Sequence, residues 1–164
     1  MVATVFIALF LKKAGDFILA KLDIRSLDLE AITEVVTNLG EPKFRALQLF
    51  KWLQSGVQSF EEMTNIPQSL RQKLADISYI ATVTPLRKYV SQIDGTVKYV
   101  YELYDGELIE SVLMKYEHGY TVCISTQVGC RMGCSFCASG LCGLKRNLTA
   151  SEMLAQIMTA AKDN

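Results

Sequence analysis

This chain of 164 residues carries no excess of charge: 17 Lys and Arg stand against 17 Asp and Glu, for a net charge of zero. That removes the broad positive field with which a strongly basic protein gathers nucleic acid, so any RNA contact must come from a local patch. A long apolar run is also lacking. Met1 to Leu11 is almost wholly apolar, but it is about half of the ~20 residues needed to cross a bilayer. It has neither the positive leader nor the small-residue cleavage site of a signal peptide. It reads as a helix end packed on its neighbours, or as a variable extension, rather than as a membrane signal. Internal repeats and low-complexity tracts are absent, so neither a solenoid nor a polar tail is expected. What is present is ample apolar material, 50% of the residues, in a length suited to one or two small domains.

Residues 22–77 read as helical. Asp28 can accept a hydrogen bond from a free N–H at a helix entry, and Leu29, Ile32, Val35, Val36 and Leu39 recur at helical spacing. Gly40 can take the left-handed stop, and Pro42 prevents continuation. A second helix is predicted from Lys43 toward Ser55, with Phe44, Leu47, Phe50 and Leu53 as its apolar stripe and Gly56 at its end. Shorter pieces follow near Phe60 to Met63 and Pro67 to Ile77, with Pro67 in a first helical turn. Past Ile80 the pattern becomes strand-like: Tyr89 to Ile93, Val97 to Leu103, Leu108 to Met114 and Tyr120 to Ser125. Asp94-Gly95, Asp105-Gly106 and His118-Gly119 separate these runs, and Asp-Gly between apolar runs signals a hairpin. An antiparallel meander is expected. Thr149-Ala150-Ser151-Glu152 is a capping box, opening a helix whose apolar stripe is Met153, Leu154, Ile157, Met158 and Ala161. The last strand, a glycine-bearing loop and this helix form the first βα unit of a parallel barrel or sheet. The expected class is α/β: a helical domain at 22–80, a β meander at 81–119 and an incomplete core domain at 120–164, with 1–21 as an unmatched extension.

The loop carries the chemistry. Cys130, Cys134 and Cys137 stand in the order C-x-x-x-C-x-x-C, with Cys123 and Cys142 nearby. Such crowding fits a metal site in a reducing cytosol better than a spread of structural disulfides. Three thiolates at this spacing suit a [4Fe-4S] cluster, whose closed form takes four. Three leave one iron open to a substrate. Gly129, Gly133, Gly140 and Gly143 let the backbone bend round a ligand, and Phe136 can pack against a bound cofactor. A structural zinc is the rival reading, with Cys142, Cys123 or His118 as fourth ligand. Zinc pairs usually arrive as two C-x-x-C knuckles, whereas this is one unbroken triplet.

The triplet, with an aromatic before its last cysteine, resembles the radical S-adenosylmethionine superfamily. The runs TVCISTQVGC (121–130), RMGCSFCAS (131–139) and RNLTA (146–150) are similar to adenine-C2 methyltransferases of 23S ribosomal RNA, one branch of which also methylates transfer RNA. DIRS (23–26), LGEP (39–42), FEEMTN (60–65) and LIESVLM (108–114) extend the resemblance from about residue 22 to the end. It implies Cys130, Cys134 and Cys137 as cluster ligands, with the open iron holding S-adenosylmethionine. It implies a deoxyadenosyl radical that activates a methyl group carried on a further cysteine, so that the methyl adds to C2 of adenine. An electron donor of the flavodoxin kind is implied as partner. Glu110 matches the family's proton acceptor; from the residues alone it is an exposed strand carboxylate, or one buried beside Leu108, Val112 and Met114, where burial would raise its pKa. Cys123 matches the cysteine that closes a transient disulfide with the methyl carrier; on its own it reads as a small buried hydrophobe. Cys142 matches no role and is a spare thiol. The helical domain resembles the family's RNA-holding accessory domain, with Lys43, Arg45, Lys51, Arg71 and Lys73 as candidate phosphate contacts.

The family's later segments, including the methyl-carrying cysteine, have no counterpart in this sequence. The expectation is therefore that these residues alone do not methylate RNA, as a fragment, a frameshift product or half of a split enzyme, and that an open barrel edge favours aggregation. The alternatives are a non-catalytic RNA-binding fragment and a structural zinc protein.

Overall fold

The structure, a computed structural model, describes residues 21–140 and 143–163. The expectations for 1–20 and for Cys142 lie outside the described residues. Among those described, no helix is long and apolar enough to cross a membrane.

The chain enters through β1 (Leu22–Asp23), which pairs in parallel with β2 (Ser78–Tyr79). A single 3-10 turn, Ile24–Ser26, follows, where a helix was expected. Three helices then build the first core: α1 (Leu29–Asn38), α2 (Phe44–Gln54) and α3 (Gln68–Ile77). Asp28 caps α1 as expected, accepting from the Ala31 N–H at 2.8 Å. Gly40 takes the left-handed conformation that ends it, at φ +79°. Pro67 lies one residue ahead of α3, as its capping residue.

The buried face of α2 keeps Leu53 of the expected stripe, with Phe50 partly buried against the same core, and departs from it at Phe44 and Leu47. Ala46, Leu49 and Leu53 are buried, whereas Phe44 is 57% exposed and Leu47 47% exposed. The helix rolls so that Leu49 and Leu53 meet Ile32, Val36, Leu70 and Leu74 in one cluster. Both candidate stripes have helical period, and only the docking partners decide between them. Leu49→Ala should therefore cost about 2–5 kcal/mol, while Leu47→Ala should stay within about 0.5 kcal/mol. Urea unfolding followed by circular dichroism measures both.

The second half is an antiparallel meander in the order β3-β4-β5-β6: β3 (Thr84–Val90), β4 (Val97–Glu102), β5 (Leu108–Tyr116) and β6 (Gly119–Cys123). β3 begins and ends earlier than the predicted Tyr89 to Ile93, because Ser91 to Gly95 close a turn. β6 stops at Cys123, two residues short of the prediction. After a bend come β7 (Gln127–Gly129) and β8 (Leu144–Asn147), which pair antiparallel, and then α4 (Ala150–Lys162). Val97, Tyr99, Tyr101, Ile109 and Leu113 from one sheet face form the second core with Val128, Leu148, Ala155 and Ala160. The capping box at Thr149 and Glu152 is present. The apolar stripe expected for α4 is replaced by a mixed one: Ser151, Glu152, Ala155, Gln156 and Ala160 are buried, and Ile157 is 40% exposed.

Buried polar contacts join the two halves. Arg25 is 4% exposed; its guanidinium donates to the Ala81 carbonyl at 3.0 Å and to the Val57 carbonyl. Burial lowers its pKa, while Asp23 and Glu62 oppose that shift. At the start of α4, the Thr149 hydroxyl donates to Asp23 at 2.9 Å and the Ser151 N–H donates to Ser26 at 3.1 Å. At its other end, Lys162 donates to the Gly56 carbonyl at 2.7 Å.

Candidate functional site

β5 alternates. Ile109, Ser111 and Leu113 point into the core, so Leu108, Glu110, Val112 and Met114 share the outer face. The register places Val112 opposite Cys123 on β6 and opposite Lys98 on β4, with Tyr89 of β3 next in the row. Directly paired residues share a face, and diagonal neighbours lie about 7–8 Å apart. Glu110 and Cys123 are such a diagonal pair. The structure therefore gathers these two candidates on one solvent-facing surface.

Glu110 does share a face with Leu108, Val112 and Met114, but that face is the open one. Its side chain is 55% exposed and pairs with Lys98 at 2.7 Å. Of the two readings it is the exposed strand carboxylate that the structure shows, and not the buried one, because α4 covers the opposite face. Cys123 is likewise an exposed free thiol rather than a buried hydrophobe. Lys98, reaching Glu110 across the strands, was missed in the sequence; its only signal was its place in the second strand run.

The cysteine loop springs from the β7/β8 clasp rather than directly from the long strand. The Cys130 N–H donates to the Gly143 carbonyl at 3.1 Å, closing its neck. Gly129 there has φ +75°, and a Cβ would lie 1.9 Å from the Gly143 oxygen. Between these points the chain coils in tight turns: Cys137 N–H to Cys134 carbonyl at 3.1 Å, then Gly140 N–H to Cys137 carbonyl at 3.1 Å. The Met132 N–H donates to the Cys130 sulfur at 3.4 Å. Cys130 and Cys137 are half-buried and Cys134 is exposed, all as free thiols. Phe136 is 92% exposed.

Among the described residues, no group of three or more His, Cys, Asp or Glu side chains converges to hold a metal ion. The donor set nevertheless fits an iron–sulfur cluster in kind: thiols outside any disulfide on one glycine-bearing loop, one already accepting an N–H, as cluster sulfurs do. His118 stacks on Tyr116, ring centroids 5.2 Å apart, at the β5–β6 turn.

The loop's return strand is anchored by an ion network. Arg146 grips both oxygens of Glu152 at 2.8 Å and reaches Asp105 at 2.8 Å. Glu152 is 1% exposed and also caps the Thr149 N–H at 2.8 Å. Bonding to Glu152 first, and then to Asp105, raises the Arg146 pKa further above its ordinary range. The bond to Arg146 holds Asp105 below the usual carboxylate range.

The five cations suggested for RNA are unequal. Arg71 donates to the Glu61 carbonyl at 2.8 Å. Lys73 is tied to Leu39 and Glu41, each at 3.1 Å. Arg45 bonds Gln48 and Asn65 and lies over the Phe44 ring. The Lys43 and Lys51 ammonium groups show no hydrogen bond or ion pair among the described residues.

Comparison with known proteins agrees with this architecture. Residues 22–80 match the family described as Ribosomal RNA large subunit methyltransferase N-terminal domain. The chain is 54% identical over 143 residues to the "Probable dual-specificity RNA methyltransferase RlmN" of Alkaliphilus oremlandii, covering 87% of this chain and 42% of that protein. It is 50% identical over 140 residues to the protein of the same description from Bacillus subtilis, covering 85% of this chain and 38% of that one. The crystal structure of a radical SAM methyltransferase from Sphaerobacter thermophilus superposes with TM-score 0.77 at 41% identity, over 87% of this chain and 42% of that one. The chain thus spans about two fifths of the length of these relatives. Over residues 22–80 by the family model, and over most of its length by these relatives, the chain is similar to the N-terminal part of RlmN methyltransferases.

Proposed function

We propose that this chain serves radical S-adenosylmethionine-dependent methylation of C2 of an adenine in 23S ribosomal RNA and in transfer RNA, in the cytoplasm. The observation that carries this reading is the joint placement of Glu110 and Cys123 on one open sheet face, with the three-cysteine loop following on the same chain. Cys130, Cys134 and Cys137 would hold a [4Fe-4S] cluster. The chemistry supplied when it is bound is one-electron cleavage of S-adenosylmethionine, needed because C2 of adenine carries no nucleophile.

The chain's own residues do the rest. Glu110 lies on the open face beside Lys98, within reach of a bound base, and there it would take the C2 proton. Cys123 is a free thiol at the surface, placed to attack, as thiolate, the sulfur of the methyl-carrying cysteine, with the carbon of the RNA adduct as the leaving group. Residues 22–80 form the RNA-contacting domain, 81–119 the connecting meander and 120–164 the start of the core domain. A flavodoxin-like protein and a C-terminal half complete the partners.

A chimera tests this reading: residues 22–163 replace the matching segment of the Bacillus subtilis relative, in cells lacking their own enzyme. Mass spectrometry of digested RNA should recover 2-methyladenine, and Glu110→Gln, Cys123→Ala or Cys134→Ala should each remove it. A folded, iron-loaded chimera that forms none contradicts the proposal.

Lys43 and Lys51 are the cations left available for phosphates. Lys43→Ala combined with Lys51→Ala should weaken binding of a ribosomal RNA fragment. The slope of log affinity against log salt should flatten by roughly 1–2. Gel shifts at graded salt measure this, with Lys73→Ala as the variant expected to change little.

A further inference from the structure

β6 ends at Cys123 although the sequence continues as a strand. Two positions further along the ladder Ser125 would face Glu110, but Gln156 takes Ser125's backbone instead. Gln156 is 0% exposed. The Ser125 N–H donates to its Oε1 at 3.0 Å, and its Nε2 donates back to the Ser125 carbonyl at 2.9 Å. This reciprocal pair is what a neighbouring strand would supply, delivered here by one buried amide from α4. Ser125 stays tied to the sheet through its hydroxyl, which donates to the Glu110 carbonyl at 2.7 Å. One residue on, the Thr126 carbonyl accepts from the Leu148 N–H at 2.9 Å.

We propose that Gln156 is a positioning residue of the site: by seizing Ser125 it peels the chain off the sheet after Cys123 and aims it at the cysteine loop, while Ser125 ties that exit point to Glu110. This rests on the reading of Glu110, Cys123 and the three loop cysteines as one functional site. A fully buried glutamine, set between Ala155 and Ala160 on the buried face of α4, has no packing advantage over leucine, since an unbonded buried amide is costly. Its acceptor and the shorter of its two donor contacts are matched by Ser125, the other donor contact reaching the Glu152 carbonyl of its own helix at 3.4 Å, so Ser125 is the partner outside the helix that accounts for its place there. The consequence is geometric. Cys123 stays on the open face beside Glu110, and the segment Gln127 to Cys130 starts from a fixed direction.

The test uses the full 164-residue chain carrying Gln156→Met or Ser125→Ala, read by amide hydrogen exchange and by iron retained after anaerobic loading with iron and sulfide. In Gln156→Met, exchange across 123–127 should quicken at least ~10-fold while amides of α1 to α3 keep their protection, and iron should fall below half of the parent's. Ser125→Ala, which removes only the tie to Glu110, should fold normally and give a smaller change confined to the same residues. Gln156→Glu adds a rescue. A buried carboxyl has a raised pKa, so its protonated form at low pH can donate and accept like the amide, and protection at 123–127 should return as pH falls. Wild-type protection in both of the first two variants would overturn the proposal. So would a loss spread evenly over the whole chain, which would make Gln156 an ordinary core contact. Neither readout requires methylation, so this inference can fail while the proposed function stands, and the reverse.

Discussion

Arg146→Met should destabilise the chain by about 3–5 kcal/mol, because it strands a buried charge. Glu152 is 1% exposed and meets the Arg146 guanidinium with both oxygens. Without that partner it retains only the Thr149 N–H at 2.8 Å. The double variant Arg146→Met with Glu152→Met should recover a large part of the loss, since replacing a buried pair by apolar groups is often neutral. Thermal and urea unfolding measure both. Equal stability of Arg146→Met and the parent would show that the pair contributes nothing. The network also has a pH signature. Arg146 depresses the Asp105 pKa, so this contribution is present above the unfolded carboxylate value of about 3.9 and is lost as pH falls through the lower folded value. Below about pH 4 the parent's stability should fall more steeply than that of Arg146→Met.

Gly129→Ala is the second large effect, and it is aimed at the loop. The left-handed conformation costs a non-glycine residue about 1–2 kcal/mol. The new methyl group would also sit 1.9 Å from the Gly143 oxygen, a backbone atom that cannot swing aside. The neck must open, breaking the bond from Cys130 N–H to Gly143 carbonyl. Gly133→Ala is the control: φ is +62°, yet nothing lies within 4 Å of the added carbon. The prediction is that Gly129→Ala loses bound iron and local protection around β7 and β8, while Gly133→Ala bears only the backbone cost. Equal iron in the two variants would mean that the neck does not govern the loop.

What the sequence disclosed was mostly local. The Asp28 cap, the Thr149–Glu152 box and the Asp-Gly turns involve residues two to four apart, and each formed as read. The antiparallel meander followed from those turns. Choices of face were not legible. Phe44 and Leu47 fit a helical stripe as well as Ala46 and Leu49 do, and only the packing of α1 and α3 selected the second. The alternation on β5 correctly grouped Glu110 with Val112 and Met114, but not that α4 would cover the other side. The polar face of α4 was hidden for the same reason. Ser151 meets Ser26 and Thr149 meets Asp23 across more than a hundred residues of chain, and no periodicity reports that. The cysteine triplet was visible through its spacing, whereas its anchoring by Arg146 and the redirection of the chain by Gln156 required the fold.

Iron and acid-labile sulfide, counted after oxygen-free loading of the chain and its cysteine variants, test the central claim most directly. About four irons and four sulfides per chain are predicted. Cys130→Ala, Cys134→Ala and Cys137→Ala should each abolish them, and Cys123→Ala and Cys142→Ala should leave them intact. A chain that takes up stoichiometric zinc in place of iron, or that holds no iron under any of these conditions, would contradict the account.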